Sequence, residues 1–537
     1  MAAGDDYLKR HDELKRLRSP EEGKWREIAQ LIRPDDTILD MRSTQERRDE
    51  NVFDAAPIYA LDDFAAGIFG QATNPTNRWF ELTIGDKDLA EYGPVKAWLW
   101  TAAGTILASL SPAVSNFYAA APAWFADLGA FGIGSIAQEE RVGEGRISDR
   151  GVPLGQTFID QDADGELNTF HNEIPPLRGS QVKPFIASLG GTLPPTVRDD
   201  SSYLLVHCVS KNRDAVPGRL GPQYMPWRAC YVSPDIKELH LEGGYVENPY
   251  HPIFWQRKTG RLYPGGPGAT VRPDVNMLNE MERSHIVAAQ FAAEPPLLLH
   301  NEDVLSAGDL VPNATLYGAM SEKGEARAAW LERRGQLQLS TSMSQQRRDA
   351  IRTAFRFGLM QLLKDRPQMT ATEFLGFQQQ SLELMGPNLI SIQIGLAAFI
   401  ARRFGILDRA GQIPPRPPEL QARALGIEYV SPLAKAQQIA EGRGVLQLQQ
   451  SIEQMALTDP RARDHFDVDV AVPIIGKSFT SVPGVIRDQK AIEELRQARA
   501  AATQPDVELD RAAKGVTIAA EAAHAAQAAT LAGGRRQ

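Results

Sequence analysis

Cysteine is nearly absent from this chain, which has Cys208 and Cys230 and no others in 537 residues. Two thiols cannot build a disulfide framework. Neither sits at the CxxC spacing of a structural zinc site, so a reducing compartment is the simplest expectation. Long apolar runs are missing as well. No charged segment followed by an apolar core opens the chain, because residues 7–33 are dense in Lys, Arg, Asp and Glu. No unbroken apolar stretch reaches the roughly 18 residues a membrane span needs, so neither signal-directed export nor a membrane span is expected. Histidine is scarce and scattered, nine in all, without HExxH or other helical pairing, which argues against a metal centre. A basic surplus is lacking too: 67 acidic residues outnumber 58 basic ones, for a net charge of -9. Affinity for duplex DNA comes mainly from Lys and Arg neutralising phosphates, so any contact with nucleic acid must be local or repulsive.

What is present is a chain able to fold. Hydrophobic residues make up 43%, enough for substantial cores over roughly three or four structural units. The first 33 residues carry Leu8, Leu14, Leu17, Trp25, Ile28, Ala29 and Ile32 at helical spacing, with a break expected at Ser19 and Pro20 and a stop at Pro34. A second helix is predicted over 57–72, then a strand over 79–84. Two more apolar helices are expected between residues 95 and 136, where Gly129, Gly132 and Gly134 would loosen the backbone before a strand at 135–138. Residues 151–254 alternate in short runs punctuated by Gly and Pro, the pattern of a small α+β region.

The second half is more strongly helical. Asp274 is a plausible N-cap for an uninterrupted helical run over 275–294, about 30 Å long, ended by Pro295 and Pro296. A turn-rich stretch with a charged helix around 322–335 precedes another strong helix over 343–363. A short polar turn, Lys364 to Pro367, leads to Thr370 and Glu373 in a capping-box arrangement, and a long helix then runs towards Phe404 with a kink expected at Gly386 and Pro387. A strand is predicted over 427–430, and the Ala-rich tail from Gln489 is helical in pattern.

The motifs that could carry chemistry fail on inspection. Gly476, Lys477 and Ser478 resemble the end of a phosphate loop, but Ala471 stands where its first glycine belongs and Pro473 interrupts the backbone that would cradle phosphate; a structural turn is expected. Gly265, Gly266 and Gly268 alternate with prolines and read as a linker rather than a dinucleotide fingerprint. Asp160, Asp162, Asp164 and Glu166 have metal-like spacing around Gly165 but lack the rest of a calcium loop, so a solvated hairpin turn is expected. No cofactor is implied. What remains is the pair of strong helices separated by a compact insert and followed by a short basic loop, whose Lys364 and Arg366 would by spacing alone belong to a solvated turn.

Several segments, taken in order, resemble the head-to-tail connector, or portal, family of podovirus-type bacteriophages. They are NVFDAAPIYALDDFAAGIFGQATNPTNRWF at 51–80, LGAFGIGSIAQEE at 128–140, DVNMLNEMERSHIVAAQFAAEPPLLL at 274–299, MTATEF at 369–374, RRFGILDRAGQIPPRPPEL at 402–420 and IEYVSPLAKAQQ at 427–438, together with Trp25 and Pro34. None is a catalytic signature. The resemblance implies an α+β, predominantly helical, portal-type ring subunit with wing, stem, clip and crown. On that plan 1–273 is wing, 274–296 and 341–363 are the two stem helices, 297–340 is the clip, 364–369 is the channel loop, 370–440 is a kinked helix returning to the wing, and 441–537 is crown and C-terminal helical region.

The same resemblance implies a non-enzymatic function: a dodecameric ring at one capsid vertex through which double-stranded DNA passes during packaging and ejection. Lys364 and Arg366 would then contact DNA on the channel loop, Arg347, Arg348, Arg352 and Arg356 would line the channel or stem, and Arg327, Arg333 and Arg334 would be docking candidates on the clip. The null expectation for those three is a solvated helix face. Implied partners are copies of the same chain, the terminase large subunit, a tail adaptor, and the major capsid and scaffolding proteins, with no membrane. The implied location is the virion's portal vertex, and the host cytoplasm during assembly. Two other classes stay open at this point: a phage nuclease or ATPase, which needs a carboxylate-metal site or a complete phosphate loop, and a capsid or scaffold component without a channel.

Overall fold

The computed structural model describes residues 3–34, 51–141, 146–219, 221–236, 239–257, 260–293, 297–299, 328–330, 337–355, 371–420, 425–429, 432–479, 485–487, 492–499 and 517–526. Its helices are α1 (Ala3–Leu31), α2 (Ala56–Ala72), α3 (Lys87–Glu91), α4 (Gly93–Ser109), α5 (Phe117–Phe131), α6 (Gly179–Ser188), α7 (Pro267–Ala293), α8 (Leu337–Ala354), α9 (Ala371–Arg409), α10 (Pro432–Ala456) and α11 (Val468–Phe479). Its strands are β1 (Phe80–Ile84), β2 (Ile133–Arg141), β3 (Arg146–Val152), β4 (Thr157–Gln161), β5 (Leu167–Arg178), β6 (Ser202–Lys211), β7 (Trp227–Val232), β8 (Leu239–Tyr245), β9 (Tyr250–Phe254), β10 (Leu297–Leu299), β11 (Ala328–Trp330) and β12 (Leu425–Tyr429). The chain divides into one unit of Met1–Phe80, Gly104–Ile413 and Tyr429–Leu433, and a second of Glu81–Ala103, Pro414–Glu428 and Ala434–Gln537. The fold is α+β and predominantly helical, as expected.

In the first unit, α1 runs unbroken through Ser19 and Pro20, where a break was expected. A proline inside a helix removes one backbone bond and strains the turn before it. Tertiary contacts on both sides offset that loss: the Arg18 guanidinium donates to the carbonyls of Leu154, Gly155 and Thr157 at 2.8–3.3 Å, and Trp25 meets Tyr263 edge-on. Leu14, Trp25, Ile28, Ala29 and Ile32 form a buried stripe, whereas Leu17, which the spacing places on it, is exposed. The N-terminal half adds polar contacts, with Arg10 paired to Asp160 and both His11 and Lys15 bound to Glu173.

The glycines of LGAFGIGS tighten the backbone rather than loosen it. Gly129 lies within α5, where a Cβ would fall 2.6 Å from the Phe64 ring, so its absence lets α2 and α5 close on each other. Gly132 ends α5 at φ 84, the left-handed conformation that favours glycine at a helix C-terminus. Gly266 and Gly268 press against the backbone of Leu128, Ala130 and Gly132, so the stretch read as a linker is a close-packed crossing that feeds α7. Accordingly α7 starts at Pro267, ahead of Asp274, and carries Pro273 inside.

The α+β region expected from alternation is two antiparallel sheets, a three-stranded one in the order β3-β2-β9 and a five-stranded one in the order β4-β5-β6-β7-β8. The Asp160 to Glu166 stretch is the β4–β5 hairpin turn, with Asp162 accepting from the amides of Asp164 and Glu166 and Gly165 at φ 81. The C-terminal part of α9 lies along β9: Ile392, Leu396, Phe399 and Ile400 are fully buried, and a Cβ on Gly395 would collide with Ile253. Residues Gly386–Arg409 are long and apolar enough to cross a membrane, at mean hydropathy 1.5, which a search for unbroken apolar runs passes over. Arg403, buried within that stretch, donates to Asp149 Oδ2 at 2.7 Å and to Ser109 Oγ and O at 2.7 and 2.6 Å. A helix so tied to a sheet and to buried carboxylate is a protein-core helix.

In the second unit β1 pairs with β12 and the Trp98 indole donates to the Pro414 carbonyl at 2.9 Å. The Gly476-Lys477-Ser478 triplet is helical rather than a turn. Asp467 caps the amides of Asp469 and Val470, which starts α11 and carries the triplet into its last turn, where Lys477 pairs with Glu91 at 2.7 Å. Further helix occurs at residues 492–499 and 517–526, within the tail expected to be helical.

Candidate functional site

The two strong helices of the sequence pack against each other as α7 and α8, and the described part of the insert between them is an antiparallel ribbon. Leu297 lies opposite Trp330 and Leu299 opposite Ala328. A charged helix was expected around 322–335, but the apolar triplets Leu-Leu-Leu and Ala-Ala-Trp satisfy each other's backbones as β10 and β11. Described helix ends at Ala354, within the predicted 343–363 run.

The fourfold spacing of α8 explains its packing. Ser344, Ile351 and Phe355 are fully buried, and Phe355 meets Phe64 of α2 edge-on at 6.1 Å. Arg348 lies on the same stripe, one turn from Ser344, where an apolar side chain would be expected. Its charge is compensated on the spot: it reaches Asp54 Oδ2 at 2.8 Å and Glu282 Oε1 at 2.9 Å. Asp54 is held in place from the other side, because Asn279 of α7 accepts from the Phe53 amide at 2.8 Å and donates to the Asn51 carbonyl at 2.9 Å. Arg347 donates to Asp274 at 2.7 Å. Asp274, Leu278 and Glu282 fall four apart on α7, so one face presents a carboxylate, a buried leucine and a second carboxylate to α8.

Arg347 and Arg348 are therefore engaged in ion pairs within the chain. Arg352 is exposed and lies 3.7 Å from Asp349, one turn back on the same helix. On α7 the outer face likewise carries Arg283 3.8 Å from Glu280. The outer faces of the helix pair thus set opposite charges next to each other. Arg356, Lys364, Arg366, Arg327, Arg333 and Arg334 lie outside the described residues. Asp54 and Glu282 were missed on the sequence, and Asp274, read there as an N-cap, pairs with Arg347 instead; an arginine standing in an apolar helical stripe is a usable signal that an acid faces it.

A cavity of about 300 Å³ lies elsewhere in the first unit, lined by Asp162, Asp164, Arg257 and Arg261 among others. Arg257 donates to the Gly165 carbonyl at 2.7 Å and covers the Phe254 ring. Among the described residues no group of three or more His, Cys, Asp or Glu side chains is placed to hold a metal ion.

The described geometry is a helix pair with internal ion pairs, a β ribbon in the insert between the two helices, and a body of sheets and helices. Residues 5–484 match the model of the family described as bacteriophage head to tail connecting protein, and the chain belongs to that family. It is 25% identical over 510 residues to the portal protein of Salmonella phage epsilon15, an alignment spanning 93% of this chain and 91% of that protein. It is 27% identical over 514 residues to the probable portal protein of Bordetella phage BPP-1, spanning 92% and 90%. Among solved structures it is loosely similar to a chain in the neck of an empty GTA particle computed with C6 symmetry, with TM-score 0.36, 10% identity and coverage of 74% of this chain and 87% of that one. A chain in the neck of the native GTA particle computed with C12 symmetry gives TM-score 0.34 at 11% identity, covering 78% and 89%.

Proposed function

We propose that this head-to-tail connecting protein is a portal subunit: a dodecameric ring at one capsid vertex, the conduit for double-stranded DNA during packaging and ejection, and the platform on which terminase and then the tail adaptor dock. The observation that carries the reading is the family match over residues 5–484, with near end-to-end similarity to two phage proteins named as portals. On this reading residues 274–296 and 341–363, which take in most of α7 and α8, are the stem, residues 297–340 the clip, 364–369 the channel loop, 1–273 and 370–440 the wing, and 441–537 the crown. The subunit resides in the virion at the portal vertex and assembles in the host cytoplasm beside capsid and scaffolding proteins. It performs no catalytic step and takes no cofactor.

A conduit must let every DNA sequence slide, so it needs neither base readout nor strong phosphate adhesion. The helix pair fits this requirement, because carboxylates hold Arg347 and Arg348 and neighbouring acids offset Arg352 and Arg283. Localised positive charge then falls to Lys364 and Arg366 on the loop after the second stem helix, where ring symmetry multiplies each into a girdle. Arg352 and Arg356 line the stem, and Arg327, Arg333 and Arg334 are the docking charges of the clip.

Two measurements test the proposal. Mass and rotational symmetry of the purified particle should reveal a closed ring with an axial hole, and a chain that stays monomeric under all assembly conditions would refute it. The double variant Lys364→Glu with Arg366→Glu should still form rings but package or retain less genome; a normal packaged-genome yield removes those two residues from the channel.

A further inference from the structure

The two cysteines that the sequence leaves without a role are brought face to face. In the five-stranded sheet β6 and β7 run antiparallel with Cys208 directly opposite Cys230. Directly opposed residues in such a ladder have Cα atoms about 4.5–5.5 Å apart, inside the roughly 4.4–6.8 Å range that a disulfide spans. Both side chains lie on one face, in a cluster with Val206 and Val232. Both are free and buried. The start of α1 covers them: Tyr7 and Leu8 pack against the cluster.

We propose that Cys208 and Cys230 form a latent cross-strand disulfide site, shielded by the first turns of α1 and closed by exchange with a small disulfide such as oxidised glutathione. One protein thiol, deprotonated, attacks a sulfur of oxidised glutathione, giving a protein–glutathione mixed disulfide and one glutathione thiolate. The second protein thiol, deprotonated in turn, attacks the protein sulfur of that mixed disulfide and displaces the second glutathione thiolate. The two thiolates take up the two protons lost by the protein, so the balance is one protein disulfide and two reduced glutathiones, with two electrons moved from protein to oxidant. Closure draws the opposed Cβ atoms together by about 1 Å.

The shield sets the timing. Burial first, and then the neighbouring thiol, pushes the Cys208 thiol well above its ordinary range, so it stays protonated and inert while α1 is seated. The half of α1 that covers the pair is seated by Arg10, His11 and Lys15 on Asp160 and Glu173 and by Leu14 in the core, so the thiols are reached only when this end of the helix lifts. A chain folded in a reducing cell keeps both thiols, and one released into an oxidising medium can staple β6 to β7. That setting rests on the portal reading, whereas the chemistry does not.

The test uses the full-length native protein in whatever oligomeric state it is purified, incubated with oxidised glutathione near pH 8, acid-quenched, unfolded, alkylated and weighed intact and as peptides. The wild type should lose both alkylation sites together, with the mass of two hydrogens, a linked pair of Cys208 and Cys230 peptides, and no retained glutathione. Tyr7→Ala should speed this loss by roughly tenfold by uncovering the thiols. Both cysteines remaining alkylatable in the wild type would overturn the proposal, as would a linkage between two chains or a stable glutathione adduct. An unchanged rate in Tyr7→Ala would overturn the shielding by α1. All of these readouts are independent of ring formation and DNA passage, so failure here and failure of the portal reading are separately visible.

Discussion

Two arginine sites in this molecule solve the same problem differently. On α9, Arg403 is completely buried, with every partner inside the same core: Asp149, the hydroxyl and the carbonyl of Ser109. Asp149 is itself buried and further bound by Ser115 and Gln138. On α8, Arg348 keeps a quarter of its side chain in solvent and shares its charge between Asp54 and Glu282. The first arrangement locks a helix to a sheet for good. The second holds two helices in register while leaving their outer faces for other molecules.

Breaking the α9 site should have the largest effect. Asp149→Ala leaves Arg403 charged and unpaired in the core and should destabilise the first unit by roughly 3–5 kcal/mol, read as a lower urea midpoint. Replacing both partners, as Arg403→Met with Asp149→Leu, should recover most of that loss, since an apolar pair removes the stranded charge. A double variant as unstable as the single one would show that the hydroxyl and amide partners carry the site instead.

Acid should separate the two regions next. Burial, and then the charges of Arg150 and Arg402, hold His207 in the five-stranded sheet at about 3, against 6.5 for a free imidazole. His171 and His251 are pushed down in the same direction by burial. Between pH 6.5 and 3 the unfolded chain therefore binds protons that the folded sheet refuses, and stability falls as pH is lowered through that window. Glu173 adds a second step. Burial pushes it up, but His11 and Lys15 hold it at about 2, so its contribution is present above 4.5 and lost as pH falls from 4.5 towards 2. Hydrogen exchange at pH 4 should find the β5 and β6 amides opening before those of α8.

A smaller change follows from Arg348→Ala, which leaves Asp54 and Glu282 facing each other without their cation and should cost about 1–2 kcal/mol, seen as faster proteolysis near α8 with α9 unaffected. Arg352→Ala should be smallest for folding, within about 0.5 kcal/mol, because the side chain is exposed. Its readout on the portal reading is the rate of DNA passage.

The legible parts of this chain were those where local periodicity and burial agree. The buried stripe of α1, the strand at β1, the hairpin at Asp160 to Glu166 and the two helices α7 and α8 follow from spacing, whereas the pairing of those helices came with the family resemblance. The errors share a cause. Pro20 within α1, Pro267 at the start of α7, and Gly266 and Gly268 against Gly132 were read by local propensity, while distant partners decided them. The ion-pair roles of Asp54, Asp274 and Glu282 were invisible for the same reason, since Asp54 meets Arg348 only after almost three hundred intervening residues have folded back. The facing of Cys208 and Cys230 needed the register of β6 on β7, which a list of strands does not contain.

The pairing of β1 with β12 joins strands from distant parts of the gene product. On a chain still being synthesised, this pair can close only after residues 425–429 have emerged, about 340 residues after β1.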